Sequence, residues 1–230
     1  MSRAKQLADA IDAFVKGTKA DGTWDSIKAC CILAGWDSLD GCLVPLKGPA
    51  PTNNNFTESD LDRATGLVGD GSTTYLDSNR NNNADPQDSQ HVSVYVSSVA
   101  TVSSDMYFAT PSANGAGSTS VYRGSVTTNW GSRRPASASV LDVANADMGG
   151  FVGVSRFQSS NFEYRANGTT TTSGAFLSGT PENGNVSIFS ASNTFHGNCR
   201  LALYLIGESL DLAALDARVT ALITAIGAAI

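Results

Sequence analysis

From His91 to Val99 apolar and polar residues alternate without a break: Val92, Val94 and Val96 fall on one side of an extended chain, Ser93, Tyr95 and Ser97 on the other. Successive side chains of a strand point to opposite faces, so this run predicts a strand with one face in a core and the other toward solvent, the habit of antiparallel sheets. Shorter runs of the same kind follow at Asp105–Ala109, Thr119–Arg123 and Phe151–Phe157. Phe162–Ala166 and Thr169–Thr172 flank Asn167-Gly168, a dipeptide that tolerates left-handed backbone and is a strong hairpin signal. Asn183-Gly184 introduces Asn185–Phe189 in the same way. Many short strands with no helical segment between them exclude βαβ units and predict a sandwich or barrel over about Ala50 to Gly207.

Arg200–Ile206 is apolar on both faces, with Leu201, Leu203 and Leu205 expected on one side and Ala202, Tyr204 and Ile206 on the other. A doubly apolar strand in an antiparallel sheet needs a cover, and both ends of the chain supply helical patterns. Leu7, Ile11 and Phe14 form a stripe at i, i+4 and i+7, with Gly17 as the expected stop. Thr23 then suits an N-cap for a second helix, Trp24 to Ala34, ended by Gly35. At the other end Leu212, Leu215, Val219, Leu222 and Ile226 repeat at 3, 4, 3 and 4, the rhythm of a helical seam. Such a short helix is marginal alone in water, so it must dock on its own sandwich or on copies of itself. The expected organisation is a helical attachment or oligomerisation region over 1–48, a sandwich over 49–209 and a helix over 210–230. Leu7, Ile11, Phe14, Leu212, Leu215, Val219, Leu222 and Ile226 are the candidate self-association residues of a homotrimer.

Charge narrows the partners. The net charge is −6 and no basic stripe is present, so a nucleic-acid partner, which needs phosphates neutralised, is not expected. Arg133 and Arg134, the one adjacent basic pair, read as a surface loop. Ser2 to Lys16 carries Lys5, Asp9 and Asp12, so no apolar leader is visible; synthesis in the cytoplasm without a signal peptide is expected. No run approaches the ~18 apolar residues of a membrane span, so no membrane is expected. Cys30 and Cys31, adjacent in an expected helix, diverge by about 100° and form no chelating pair. With Cys42 and Cys199 they read as buried free thiols, and a Cys31–Cys42 bridge stays open.

The run from Thr65 through Gly66-Leu67-Val68-Gly69-Asp70-Gly71 to Tyr75-Leu76-Asp77-Ser78-Asn79 resembles the opening strands of laminin-G-like (concanavalin A-like) jelly-roll domains of phage virion proteins. His91–Val99 is similar to the strand that follows in that family. Gly197-Asn198-Cys199-Arg200-Leu201-Ala202-Leu203-Tyr204-Leu205-Ile206-Gly207 through Asp211 resembles its last strand leading into a C-terminal helix. The resemblance spans most of Thr65 to Ile230. It implies a mainly β fold, a two-sheet antiparallel jelly-roll sandwich with N-terminal helices and a C-terminal helix. It also implies a virion structural protein on the particle surface: a capsid decoration protein or short appendage, or a tail fibre that recognises host surface glycan. Capsid or tail proteins are its expected partners.

Catalytic relatives of such folds hydrolyse polysaccharides with paired acids at E-x-D-x-E spacing, which alternation puts on one face of a strand. The four glutamates here, Glu58, Glu163, Glu182 and Glu208, lie far apart in sequence. The two histidines, His91 and His196, are isolated, and neither G-x-S-x-G nor H-E-x-x-H occurs. The chain is therefore read as a non-enzyme, with polysaccharide degradation the last of the alternatives. The oxygen-rich loop Asp77–Gln90 suits calcium in type but lacks EF-hand spacing, so no cofactor is assigned. Tyr122, Trp130 and Arg133, in polar, Gly-rich surroundings, are the candidate glycan-binding residues, aromatic faces stacking on sugar C–H faces while Arg reads hydroxyls; the alternative for the aromatics is a core or intersubunit role.

Overall fold

The computed structural model of the chain describes residues 2–99, 105–136, 139, 141–144, 148–191 and 194–230. Helix α1 (Arg3–Ala20) leads through strand β1 (Ile27–Ile32) and the single-turn α2 (Leu39–Cys42) into a run of strands. These begin with β2 (Thr52–Asn54), β3 (Leu61–Asp62), β4 (Gly66–Val68), β5 (Tyr75–Asn81), β6 (Gln90–Ser98), β7 (Asp105–Ala109), β8 (Ser120–Arg123) and β9 (Thr127–Gly131). They continue with β10 (Leu141–Ala144), β11 (Gly150–Arg156), β12 (Glu163–Ala166), β13 (Thr169–Thr172), β14 (Asn185–Ile188), β15 (Ser190–Ala191), β16 (Phe195–His196) and β17 (Arg200–Gly207). Helix α3 (Leu212–Ala229) follows.

The first sheet runs β13-β12-β11-β6-β17-β4-β3, with β1 also paired to β17; the second runs β10-β9-β8-β7-β14-β5-β2, and β15 and β16 form a small ribbon. Every strand pairing among the described residues is antiparallel. The predicted antiparallel two-sheet sandwich with helices at its ends is the observed fold. Val92, Val94 and Val96 of β6 and Val152 and Val154 of β11 fill the space between the sheets against Leu76, Val121, Trp130 and Ile188. The Asn167-Gly168 hairpin forms as expected between β12 and β13, with Asn167 at φ 51° and Gly168 at φ 69°.

Several expectations fail for identifiable reasons. Trp24 to Ala34 is not a second helix: its centre is β1, paired with β17 from Ile27–Gly207 to Ile32–Leu203. A short run that is apolar on all sides satisfies either period, and the open edge of β17 decides it. Cys30 and Cys31 then point to opposite layers, Cys30 under the helices and Cys31 between the sheets. All four cysteines are buried and free. Gly17 does not end α1, which continues to Ala20; the missing side chain makes room for Arg218, which pairs with Asp21. Leu201 does not share a face with Leu203 and Leu205. Register shifts around it in the pairing with β6 turn Leu201 inward beside Tyr204 and Ile206, leaving Leu203 and Leu205 outward under the helices.

That outward face is what α1 and α3 cover. Leu212, Leu215, Val219, Leu222 and Ile226 are at most 2% exposed, packed with Leu203, Leu205, Phe151 and the Phe14 ring of α1. Each such fully buried side chain contributes roughly 1.5–3 kcal/mol. Leu7 and Ile11 pack partly buried at the margin of the same cluster. The seam expected to join subunits is therefore consumed within one protomer, and those side chains are not available to build a homotrimer. With mean hydropathy 1.5 over 18 residues, α3 is long and apolar enough to cross a bilayer, contrary to expectation, but its apolar stripe is already spent on the sandwich.

Candidate functional site

Alternation along β8 decides which aromatics reach the surface. Val121 pairs with Trp130, and both point between the sheets; Tyr122, one residue on, pairs with Asn129 and points out. Trp130 is 2% exposed and packs 4.8 Å from the Tyr164 ring of the opposite sheet, so its faces belong to the core. It lines a small cavity of about 130 Å³ between the sheet margins. Its placement as an exposed stacking platform is corrected by this packing.

Arg133 and Arg134 are also corrected, since both are fully buried rather than on a surface loop. Arg133, at φ 50°, turns inward and donates to the carbonyls of Asn82 and Asp85. There it joins a buried polar network in which Gln90 donates to Asn82 and accepts from Thr119 and Ser132. Arg134 runs the other way, across the outer face of the second sheet, donating to Asn129 Oδ1 at 2.6 Å and Ser120 Oγ at 2.9 Å. Gly131 permits this, because a Cβ there would sit inside the guanidinium. Burial lowers the pKa of Arg134 to about 10, opposed by the fields of Tyr122 and Asp142, and the group stays charged at neutral pH. The guanidinium beside Tyr122 is thus that of Arg134, and the expected trio of Tyr122, Trp130 and Arg133 does not converge.

Tyr122 opens onto a hollow of about 200 Å³ with Met106, Ala113, Asn114 and Phe195. Met106 pairs with Tyr122 across β7 and β8 and forms the floor. The carbonyl of Ala113, a residue at φ 50°, accepts from Arg134 Nε, Ser118 Oγ and Ser120 Oγ, which pins the loop after β7 over the sheet. Asn114, carried by that loop, donates Nδ2 to the Tyr122 hydroxyl at 3.4 Å, while its Oδ1 is buried with no hydrogen-bond partner among the described residues. The β15–β16 ribbon brings in Phe195, 56% exposed. Two aromatic rings and an amide side chain converge in this hollow, and its described lining holds no carboxylate, imidazole or thiol. Its chemistry is non-covalent: ring faces for the C–H surfaces of a ligand.

The other candidates lie elsewhere. His91 is fully buried, its Nδ1 2.6 Å from the Glu208 carbonyl and its Nε2 without a partner among the described residues; burial lowers its pKa to about 4, so the ring is neutral. In the loop Asp77–Gln90, Asp77 accepts from the Asn79 backbone, Asp85 pairs with Arg80 at 2.5 Å, and Asp88 accepts from Ser178. Its oxygens are thus engaged with the chain itself, and no group of three or more His, Cys, Asp or Glu fit to hold a metal occurs among the described residues.

Fold and hollow together define an antiparallel β-sandwich, helix-covered on one outer face and hollowed on the other. No family model matches the sequence, and no curated protein matches it. Among solved structures, the chain is similar to the botulinum neurotoxin serotype D binding domain (TM-score 0.60, 10% identity, 87% of this chain and 51% of that one). It is likewise similar to a botulinum neurotoxin type C structure described as depending on two ganglioside molecules for cell entry (TM-score 0.58, 13% identity, 86% and 51%). A third is domain 4 of AbnA, an extracellular GH43 arabinanase from Geobacillus stearothermophilus, in complex with arabinotriose (TM-score 0.52, 10% identity, 84% and 99%). At such identities the likeness shows the fold alone, and the chain spans about half the length of the neurotoxin chains.

Proposed function

We propose that this chain is a non-catalytic carbohydrate-binding sandwich that takes a sugar ring in the hollow between Tyr122, Phe195 and Asn114. The observation that carries the reading is the pair of accessible rings, Tyr122 and Phe195, that line one hollow together with the Asn114 amide. Stacking of sugar C–H faces on the rings supplies the apolar part. The hollow lacks a formal charge of its own, which suits a neutral sugar. Neighbours of the same fold were solved with arabinotriose or described in terms of gangliosides, which supports the ligand class without assigning a ligand.

Glycan-array binding tests the reading: wild-type chain binds a subset of neutral glycans, and Tyr122→Ala loses part of that subset. Flat signal across the array for the wild type, or unchanged binding by Tyr122→Ala, rejects it. We further propose that this role is played on a phage particle, as a capsid decoration or tail protein, a reading supported by the sequence resemblance to virion jelly rolls. A mass-spectrometric inventory of purified particles checks that setting, and absence of the chain from every particle rejects it.

A further inference from the structure

A second concavity lies on the opposite side of the molecule, between α3 and the β12–β13 hairpin. Outward-facing residues of the hairpin, Glu163, Arg165 and Thr170, confront Ala213, Asp216, Ala217 and Thr220, which share one helix face at i, i+3, i+4 and i+7. Ala213 lines both parts of the depression, about 520 Å³ on the side of Phe157 and Glu163 and about 410 Å³ on the side of Tyr95 and Arg165. The nine-residue advance from Asp211 to Thr220 makes it about 14 Å long. Alanine on the helix and Gly168, whose Cβ position faces open space, keep it wide.

Its polar groups are partly fixed and partly unspent. Arg165 Nε donates to Asp216 Oδ2 at 2.8 Å, in a pair whose side chains are only 12% and 13% exposed. Arg165 Nη1 donates to Thr170 Oγ1, and Asp216 Oδ1 accepts from Thr220 Oγ1, so the pair is a rigid polar plate. Glu163 makes no side-chain hydrogen bond or ion pair with a described residue, and burial together with the charge of Asp211 raises its pKa. The Tyr95 hydroxyl likewise has no partner among described residues, and Phe157 is 49% exposed at the far end. Both rings flank a groove whose charges, Glu163, Asp211 and Asp216 against Arg165, sum to −2.

We infer that this groove is a second saccharide site, taking a non-acidic oligosaccharide laid along α3. The ligand class, though not the site, rests on the carbohydrate-binding reading above. Carboxylates accept charge-assisted hydrogen bonds from sugar hydroxyls, the aromatic rings take C–H faces, and the negative sum repels uronic and sialic acids. Side chains floor the groove, whereas strand-like capture of an extended peptide needs a row of free backbone groups. With one site on each outer face, a single chain bridges two glycans.

Amide chemical-shift mapping of the ¹⁵N-labelled full chain with arabinotriose, mannotriose, chitotriose and 3′-sialyllactose tests this. At least one neutral trisaccharide should shift Gly168, Ala213, Ala217 and Thr220 while sialyllactose leaves them unmoved. Phe157→Ala should weaken that binding about tenfold, as loss of one stacking ring implies. Glu163→Gln should weaken it severalfold, and both variants should retain shifts around Tyr122. The inference is overturned if no neutral probe shifts the groove, if sialyllactose shifts it equally, or if both variants bind as wild type. Shifts in the groove but none around Tyr122 would uphold it while rejecting the Tyr122 site.

Discussion

Replacing Arg156 with methionine tests how the loops behind the hollow are held. Arg156 is fully buried and donates to Ser132 O at 2.7 and 3.1 Å, Asn161 O at 3.0 Å, Gln158 O at 3.1 Å and Phe176 O at 3.1 Å. One planar fork thus ties the corner after β9 to the segments on either side of β12 and β13. Methionine fills much of the same space and donates nothing. The carbonyls of Ser132 and Phe176 belong to buried residues and that of Asn161 to a half-buried one, so water replaces Arg156 poorly at all three. At about 1–1.5 kcal/mol for each of three such bonds the loss is roughly 3–4.5 kcal/mol. With a urea slope of about 2–3 kcal/mol per molar, the unfolding midpoint should fall by about 1–2 M. Lysine, with charge but no fork, should lose roughly half as much. Urea titrations followed by tryptophan fluorescence check this; a methionine midpoint within about 0.3 M of wild type would refute the rivet role.

His91 gives the chain an acid limb. Its native pKa of about 4 lies below the 6.5 of the free side chain, so the unfolded chain takes up the proton first as pH falls. Stability from this group is complete above about pH 6.5 and is lost toward pH 4, by about 3 kcal/mol in all. Urea midpoints at pH 7, 5.5 and 4.5 should show that slope in wild type and a shallower one in His91→Gln, and parallel slopes would reject it. Asp211 caps α3 by accepting from the Ala213 and Ala214 backbone, so Asp211→Ala should cost about 1 kcal/mol, a drop in Tm of roughly 2–4 °C by calorimetry. An unchanged Tm would remove the cap from the account.

The sandwich was legible where one period ruled, as in β6, and in the Asn167-Gly168 hairpin, because those signals are local. Ile27–Ile32 was not, since an all-apolar run fits a helix or a strand until the free edge of β17 claims it. Leu201 was misplaced because the irregular pairing with β6 shifts the alternation by one residue, and nothing in the run itself announces that. The three buried guanidiniums were illegible for a different reason: their partners are carbonyl and side-chain oxygens that the folded loops gather around them, and no spacing encodes that. Tyr122 could be picked out as an aromatic in polar, Gly-rich surroundings. Asn114 and Phe195 could not, because they arrive from a loop and a ribbon that only the tertiary fold brings over β8.

The most direct examination of the binding claim is a crystal structure of the chain soaked with the glycan that binds best on the array. The account predicts a sugar ring between Tyr122 and Phe195, with a C–H face about 3.5–4.0 Å from one of the two rings. An empty hollow with the sugar held elsewhere on the molecule would contradict it.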